Sequence, residues 1–344
     1  MIHDVKFRLD VLRGGAYFKT LSLPADAPVQ INCSSSALIT RSMSAAFVKD
    51  PEIDLMKDEF QPMLSTGDGW KSLGVFRCTT PKDSNDGYDT RVSIEAYDRA
   101  WVCQANTTAE RLFIPAGTAY SSAVGSLLTK CGITSVSADR MDLATSTDHE
   151  WGLGVSLLTI INELLAELNF RPLWFDAAGT ARLTKYSEPD ADRIKFQYSA
   201  TDIKRRPIAK EFSSETDLFN APNRFICVCA NPDKTDNMTA ISVNESPVSQ
   251  KSILRRGITI TKVVQLRNIA DQASLQSYAD RLRNESMLAS QTVVISTALE
   301  SGHEPYDIAA VDHPEIGGIY VEIGWSMQLQ AGELMQHELR KTVI

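Results

Sequence analysis

The last part of the sequence contains the most regular alternation of apolar and polar residues in the chain, and this alternation restricts the fold more than any other feature. Apolar residues take every second position from 319 to 329: Ile319, Val321, Ile323, Trp325, Met327 and Leu329. Residues two apart lie on one face of a β-strand, so the pattern predicts a long strand with a buried face. Ala331-Gly332 follows as a turn that leads into a final strand.

The first hundred residues show the same period. Val5, Phe7, Leu9 and Val11 alternate with charged residues, and Arg13-Gly14-Gly15-Ala16 then supplies a turn. Segments 72–79 and 90–97 are also strand-like and are separated by a polar loop at 81–89, which predicts a hairpin. Several short strands with turns between them are typical of an antiparallel sheet or barrel.

The middle of the chain changes to a helical period. The first apolar stripe consists of Val124, Leu127, Leu128 and Cys131, and the second of Leu157, Ile160, Ile161, Leu164, Leu165 and Leu168. Gly132 and Asn169 follow these stripes and are residue types that end helices in the left-handed conformation. The sequence therefore predicts two amphipathic helices, followed by a hairpin formed by 172–176 and 181–186.

The order β, then α+β, then β predicts an α+β fold that is mainly antiparallel β, with two barrel-like domains around a helical insert. We expect an N-terminal β-barrel domain at 1–104 and a small α+β region at 105–190. A C-terminal β-barrel domain is expected at 191–344, with a helix near 269–289. The length of 344 residues agrees, since one domain usually takes ~150 residues.

Charge and composition exclude several classes of protein. The chain carries 43 acidic and 35 basic residues, a formal net charge of −8 without a basic segment, so we expect no specific nucleic-acid binding. The first ten residues lack the apolar core of a secretory signal, and segment 155–170 is too short and polar to span a bilayer. We therefore expect no membrane anchor and folding in the cytoplasm. The six cysteines lack CxxC spacing and are expected to be buried thiols.

A search for catalytic motifs finds none. The sequence contains no GxxxxGK[ST] phosphate loop, no GxSxG or SxxK nucleophile motif and no HExxH zinc motif. Gly152-Leu-Gly154 precedes a predicted helix but lacks the third glycine of a dinucleotide loop. We expect no enzyme activity, no catalytic residue and no cofactor.

Two groups of residues are candidates for a metal. The loop at 83–89 carries four oxygen donors of the type that Ca²⁺ prefers: Asp83, Asn85, Asp86 and Asp89. It is one residue short of EF-hand spacing and lacks the distal glutamate, so we expect a polar hairpin tip and keep the calcium loop as an alternative. His303 and His313 flank Glu304 and Asp312, but their spacing is not that of a dedicated site, and we expect solvated loop residues.

The order of several short segments carries further information. These segments are Gly69-Trp-Lys-Ser-Leu-Gly-Val-Phe-Arg-Cys, Ser93-Ile-Glu-Ala-Tyr-Asp-Arg-Ala, Gly117 to Ile133, Val155 to Leu165, Trp174-Phe-Asp-Ala-Ala-Gly, Asn223-Arg-Phe-Ile-Cys, Asn244-Glu-Ser-Pro and Gly318-Ile-Tyr-Val. In this order, from about residue 60 to the C-terminus, they resemble the baseplate or tail hub proteins of phages. That family includes the late control protein D group and the hub part of type VI secretion spikes.

The resemblance implies a structural protein whose two tail-tube-like β-barrels form a homotrimeric ring with pseudo-sixfold symmetry. Such a hub joins the tail tube to the baseplate or spike of a phage tail or phage-tail-like particle, which is assembled in the host cytoplasm. The implied partners are further copies of the chain, tail tube or distal tail proteins, a central spike or tail-tip protein, and the tape-measure protein. The net negative charge fits a lumen that does not retain passing DNA or protein.

Two other functions remain open from the residues alone. A tail-associated cell-wall hydrolase predicts a cluster of His, Asp and Glu or Cys around a cleft, and loss of turnover when His303 or His313 is changed. A carbohydrate-binding β module predicts a monomer with exposed aromatic side chains.

Overall fold

The structure is a computed structural model that describes residues 5–24, 26–85, 87–202, 205–215, 222–229, 238–266, 269, 271–288 and 291–342. It is mostly β, with few helices, and antiparallel strand pairs predominate. The predicted α+β, mainly antiparallel fold is thereby confirmed. No helix within these ranges is long and apolar enough to cross a membrane.

The first eight strands form an N-terminal lobe: β1 (Lys6–Arg13), β2 (Ala16–Leu21), β3 (Val29–Ser34), β4 (Arg41–Val48), β5 (Glu59–Ser65), β6 (Lys71–Ser72), β7 (Phe76–Asn85) and β8 (Thr90–Asp98). Seven of them lie in the order β2-β1-β5-β7-β8-β4-β3, and β6 pairs with β5. Their inward side chains form one apolar core that includes Leu9, Phe47 and Phe60. The predicted β7–β8 hairpin is confirmed, but its loop is shorter than expected because Pro81 to Asn85 continue the ladder opposite β8.

The next elements form an α+β unit: α1 (Ala100–Ala105), β9 (Leu112–Ile114), α2 (Tyr120–Lys130), β10 (Val136–Ala138), β11 (His149–Trp151), α3 (Leu157–Glu167), β12 (Trp174–Phe175) and β13 (Ala181–Leu183). Both predicted helices are present, and their apolar stripes meet in a single core. Gly132 and Asn169 have positive φ angles of 72° and 57°, as the helix-end interpretation requires. The Ser156 hydroxyl caps α3 by accepting a hydrogen bond from the Thr159 N–H.

The last elements are β14 (Ile194–Ser199), β15 (Arg206–Glu215), β16 (Arg224–Cys229), β17 (Met238–Val243), α4 (Ile253–Arg256), β18 (Thr261–Leu266), α5 (Gln272–Leu288), β19 (Thr292–Ala298), β20 (Ile308–Asp312), β21 (Gly318–Leu329) and β22 (Leu334–Lys341). Six of these strands close a ring in the order β21-β20-β14-β15-β19-β22, with β22 pairing back onto β21. We call this ring the C-terminal barrel. The predicted final hairpin is β21–β22.

Three strands lie outside that ring. β16 pairs with β17 and β18 in a separate sheet, and α5 packs against it. Cys227 and Cys229 point to the α5 side and are fully buried, as expected for thiols that act as small apolar residues. This separate layer was not predicted from the sequence, which placed a single barrel at 191–344.

Strand β21 belongs to both large β units. Its second half, from Gly324 to Leu329, pairs with β3, so one sheet continues from the N-terminal lobe into the C-terminal barrel. Trp325 and Met327 pack in the lobe core, whereas Tyr320 packs in the barrel core. The expectation of a single buried face is therefore wrong for the first half of the strand, because β21 lies between two cores and is buried on both sides.

Candidate functional site

A cluster of ionisable side chains lies inside the C-terminal barrel. His303 comes from the loop between β19 and β20, Glu322 from β21 and His337 from β22. All three are buried, with at most 2 % of their surface exposed. The Glu322 carboxylate bridges the two imidazoles, because Oε2 lies 2.8 Å from His303 Nδ1 and Oε1 lies 2.6 Å from His337 Nδ1. We call this group the His-Glu-His cluster.

The other nitrogen of each ring also has a partner. His337 Nε2 lies 2.8 Å from the Thr297 hydroxyl on β19. His303 Nε2 faces the Tyr198 hydroxyl at 3.5 Å and the Glu300 carboxylate at 3.9 Å. These contacts hold both rings in defined orientations inside the barrel.

Burial and the surrounding charges shift the titration of the cluster. Burial on its own would lower the pKa of His303, but the Glu300 and Glu322 carboxylates outweigh it and raise that pKa to about 9. Burial would raise the pKa of Glu322, and the two histidines lower it below its ordinary value. For Glu300, hydrogen bonding to Arg206 and the proximity of His303 overcome burial and lower the pKa to about 2. The cluster therefore favours an ionised carboxylate beside a protonated imidazole.

A second buried group joins the three parts of the molecule. Arg41, on β4, is fully buried and donates to the Phe175 carbonyl at 2.5 Å and to the His303 carbonyl at 3.4 Å. Its guanidinium also forms an ion pair with Glu304. Phe175 ends β12, whereas His303 and Glu304 lie in the barrel loop, so one side chain connects the lobe, the α+β unit and the barrel.

The turn between β12 and β13 extends this junction. Glu304 accepts a second hydrogen bond from the Ala177 N–H at 2.9 Å. Arg99, between β8 and α1, donates to the Gly179 carbonyl at 2.8 Å and pairs with Glu59 of the lobe. Gly179 has φ +77°, and a Cβ there would lie 2.9 Å from Val75. The turn thus needs glycine both for its backbone conformation and for its close approach to the lobe.

The candidate calcium loop forms the tip of the β7–β8 hairpin. The Asp83 carboxylate pairs with Lys49. The Asn85 side chain accepts from the Gly87 N–H at 2.7 Å and donates to Thr90, which is the local bonding of a turn. Asp89 also has a partner, and Asp86 lies outside the described residues. Whether this loop binds calcium stays a prediction.

The second candidate group does not converge. His313 lies in the β20–β21 turn and accepts from the Glu315 N–H at 3.1 Å, and Asp312 accepts from Ser199. Glu304 faces Arg41, and His303 points into the barrel. The expectation of solvated loop residues is wrong for His303, because its side chain is buried and bonds to Glu322 inside the barrel.

Sequence reasoning missed Glu322 and His337 as partners of His303. Glu322 stands in the polar phase of the β21 alternation, and His337 stands alone in the last strand. The available signal was the turn at Ala331-Gly332, which pairs β21 with β22 and brings both residues to the same part of the sheet. Glu322 can be assigned to the barrel interior only if both faces of β21 are known to be buried.

The sequence and the structure were each compared with those of known proteins. The sequence matches no protein-family model and no curated protein sequence. Solved structures do match. The tail protein from Neisseria meningitidis MC58 aligns with 97% of this chain and 96% of its own, at a TM-score of 0.69 and 13% identity. The chain has the phage tail-protein fold.

Two further structures with the phage tail-protein fold support this assignment. The 43 kDa tail protein of prophage MuSo2 from Shewanella oneidensis matches with a TM-score of 0.67 and 10% identity over 98% of both chains. The E. coli c3393 protein is described as a component of the type VI secretion system with structural similarity to the T4 bacteriophage tail proteins gp27 and gp5. It matches at 0.56 and 12% identity over 98% of this chain and 77% of its own. The predicted resemblance to tail and baseplate hub proteins is confirmed at the level of the fold.

Proposed function

We propose that this chain is a structural hub protein of a phage tail or phage-tail-like particle, and that three copies form a ring joining the tail tube to the baseplate or spike. The observation that carries the proposal is the match of nearly the whole chain to tail proteins, including both β units and the α+β unit. The fold supports a structural role in a tail, and the arrangement of the two β units within one chain supports assembly into a ring.

The two β units of one chain are held in a fixed relation to each other. β21 is twelve residues long and supplies hydrogen-bonded ladders to β20 and β22 in the barrel and to β3 in the lobe. Arg41 adds a buried contact across the same boundary. Three such chains present six β units, the number that a hexameric tube requires for matched contacts.

The sheet also offers an edge for assembly. β2 is the last strand of the large sheet and pairs only with β1 among the described residues. The outer N–H and C=O groups of such an edge can pair with a strand from another chain. We propose that this edge contacts another copy or a tail tube or distal tail protein. The central spike or tail-tip protein and the tape-measure protein are proposed as the other partners, and the particle as the location.

A structural role also fits the burial of the His-Glu-His cluster. A wall hydrolase needs acid and base groups that touch substrate in a cleft. Here the three side chains are buried within the barrel, with the Phe196 ring stacked 3.8 Å from His303. The cluster is thus placed to stabilise the barrel rather than to receive a polysaccharide.

Native mass spectrometry tests the proposal, with the chain alone and then mixed with the tail-tube protein of the same particle. We expect a species of three times the 38.0 kDa chain mass, alone or on the tube, and ring-shaped particles by negative-stain microscopy. Repeating the measurement at increasing protein concentration distinguishes specific trimers from general aggregation. A closed ring does not grow beyond three chains, whereas an aggregate does. A chain that remains monomeric at all concentrations and does not join the tube would show the proposal to be wrong.

A further inference from the structure

We propose that the His-Glu-His cluster is a binding site for a divalent transition-metal ion of the zinc class, held inside the C-terminal barrel by His303, Glu322 and His337. Each residue offers one ligand atom, and these atoms lie within 4.8 Å of one another. The three ligands belong to the interior of one chain, so metal binding can be tested whether or not the chain forms a ring.

The donor set matches this class of ion. Imidazole nitrogen and carboxylate oxygen both bind Zn²⁺ at about 2.0–2.2 Å, and tetrahedral geometry then places neighbouring ligand atoms about 3.3 Å apart. The present nitrogen-to-oxygen distances are 2.8 Å for His303 and 2.6 Å for His337. An ion can therefore be accommodated if these two contacts open by about 0.5 and 0.7 Å and the ligand atoms that now lie up to 4.8 Å apart close toward about 3.3 Å, which side-chain rotation must supply. Ca²⁺ and Mg²⁺ need six or more oxygen ligands and are disfavoured by two imidazoles.

The outer contacts of the two rings are those of metal-binding histidines. A ligating histidine usually gives its second ring nitrogen to a carboxylate, carbonyl or hydroxyl, which fixes the ring. His337 Nε2 has the Thr297 hydroxyl at 2.8 Å, and His303 Nε2 faces Tyr198 and Glu300. In both rings Nδ1 points inward to Glu322, so the inner nitrogens converge while the outer ones are anchored.

Charge balance and access also suit a cation. A dication that displaces the imidazole proton and binds two neutral imidazoles and one carboxylate leaves one positive charge, and the Glu300 carboxylate, which also pairs with Arg206, lies 3.9 Å from His303 Nε2. An open cleft of about 750 Å³ is lined by Thr297 and Glu300, two of the three residues that face the outer ring nitrogens. This cleft brings solvent to the partners of the outer ring nitrogens, on one side of the cluster.

The α+β unit contains a pair that serves as a control. His149 is as buried as His303 and bonds to Glu167 at 2.9 Å through Nε2. Its Nδ1 contacts the Thr147 carbonyl, and the Tyr120 hydroxyl takes the position beside the carboxylate where the barrel has a second imidazole. One histidine and one carboxylate do not make a tight transition-metal site.

The test is metal binding by the full chain. Protein is stripped with a chelator, titrated with Zn²⁺ or Co²⁺, and dialysed, and the metal is counted by mass spectrometry. We expect one ion per chain, intense visible bands for Co²⁺ when a water molecule completes a four-coordinate site, and a rise in Tm of several degrees. H337Q and E322Q should each weaken binding at least 100-fold, whereas H149Q should retain it.

Two outcomes would overturn the site. One is wild-type protein that keeps no Zn²⁺ or Co²⁺ at equimolar metal and shows no change in Tm. The other is folded H337Q or E322Q that binds as tightly as wild type, which would place the ion elsewhere. If those variants do not fold, X-ray absorption of the zinc-loaded wild type decides: two imidazoles with oxygen support the site, and a sulfur shell or a single imidazole contradicts it.

Discussion

Replacement of Arg41 by methionine tests whether the three parts of the molecule are joined as the structure indicates. Methionine replaces the arginine chain as far as Nε and fills most of the space but cannot donate hydrogen bonds. The change removes the donors to the Phe175 and His303 carbonyls and the ion pair with Glu304. These are the contacts that connect the lobe, the α+β unit and the barrel at one point.

The loss of stability depends on the Glu304 carboxylate that remains without its partner. Removing one partner of a buried ion pair costs about 3–5 kcal/mol, because the remaining charge is buried without compensation. Glu304 keeps the Ala177 N–H and is 19% exposed, so part of its charge is solvated. We therefore expect R41M to lower the free energy of unfolding by about 3 kcal/mol, at the lower end of that range. R41M/E304Q should recover part of the loss, since the unpaired carboxylate is then neutral.

Equilibrium unfolding in guanidinium, followed by tryptophan fluorescence and far-UV circular dichroism, measures the effect. The first transition is compared, because a chain of this size need not unfold in one step. R111M is the matched control: Arg111 also pairs with a glutamate, Glu150, but 70% of its side chain is exposed, so the change should leave the denaturant midpoint close to that of wild type. If R41M is no less stable than R111M, the junction does not contribute as argued.

Three further changes test local features. G179A should destabilise the chain by about 1–3 kcal/mol, measured by denaturant midpoint, because alanine is strained at φ +77° and its Cβ would press on Val75. S156A should cost about 1 kcal/mol in the same assay by removing the α3 cap. Burial on its own would lower the pKa of His149, but the Glu167 carboxylate outweighs it and raises that pKa. The protonated imidazole therefore stabilises the folded chain fully below about pH 6.5, and this contribution is lost as the pH rises through the folded-state pKa. H149Q should therefore show a smaller fall in Tm between pH 6 and 9 than wild type.

Local features of the fold were predictable because their cause lies in neighbouring residues. The stripe from Leu157 to Leu168 needs only the helical period, and its end at Asn169 needs only a residue that tolerates positive φ. The β7–β8 hairpin was likewise set by two alternating segments and a polar turn. Such patterns depend on a few neighbouring residues, so the helix or hairpin that they predict depends little on the tertiary fold.

The candidate site was not predictable from the sequence in the same way. His303, Glu322 and His337 are separated by 19 and 15 residues, and their meeting depends on closure of the barrel. Burial of both faces of β21 is a property of the sheet partners on either side. A glutamate in the polar phase of a strand usually faces water, so its inward position became visible only with the topology.

The two parts of β21 suggest why this strand carries the cluster. Its first half contributes Tyr320 and Glu322 to the barrel, and its second half contributes Trp325 to the lobe core. Between them Gly324 passes so close to β3 that a Cβ would lie 2.8 Å from the Cys33 carbonyl. A strand shared by two cores must hold one register, because a slip of one residue would turn apolar side chains out of both. Glu322, bonded to two histidines at fixed distances, penalises such a slip, since it would leave a buried charge unpaired. The cluster thus stabilises the one register in which the lobe and the barrel keep their fixed relation.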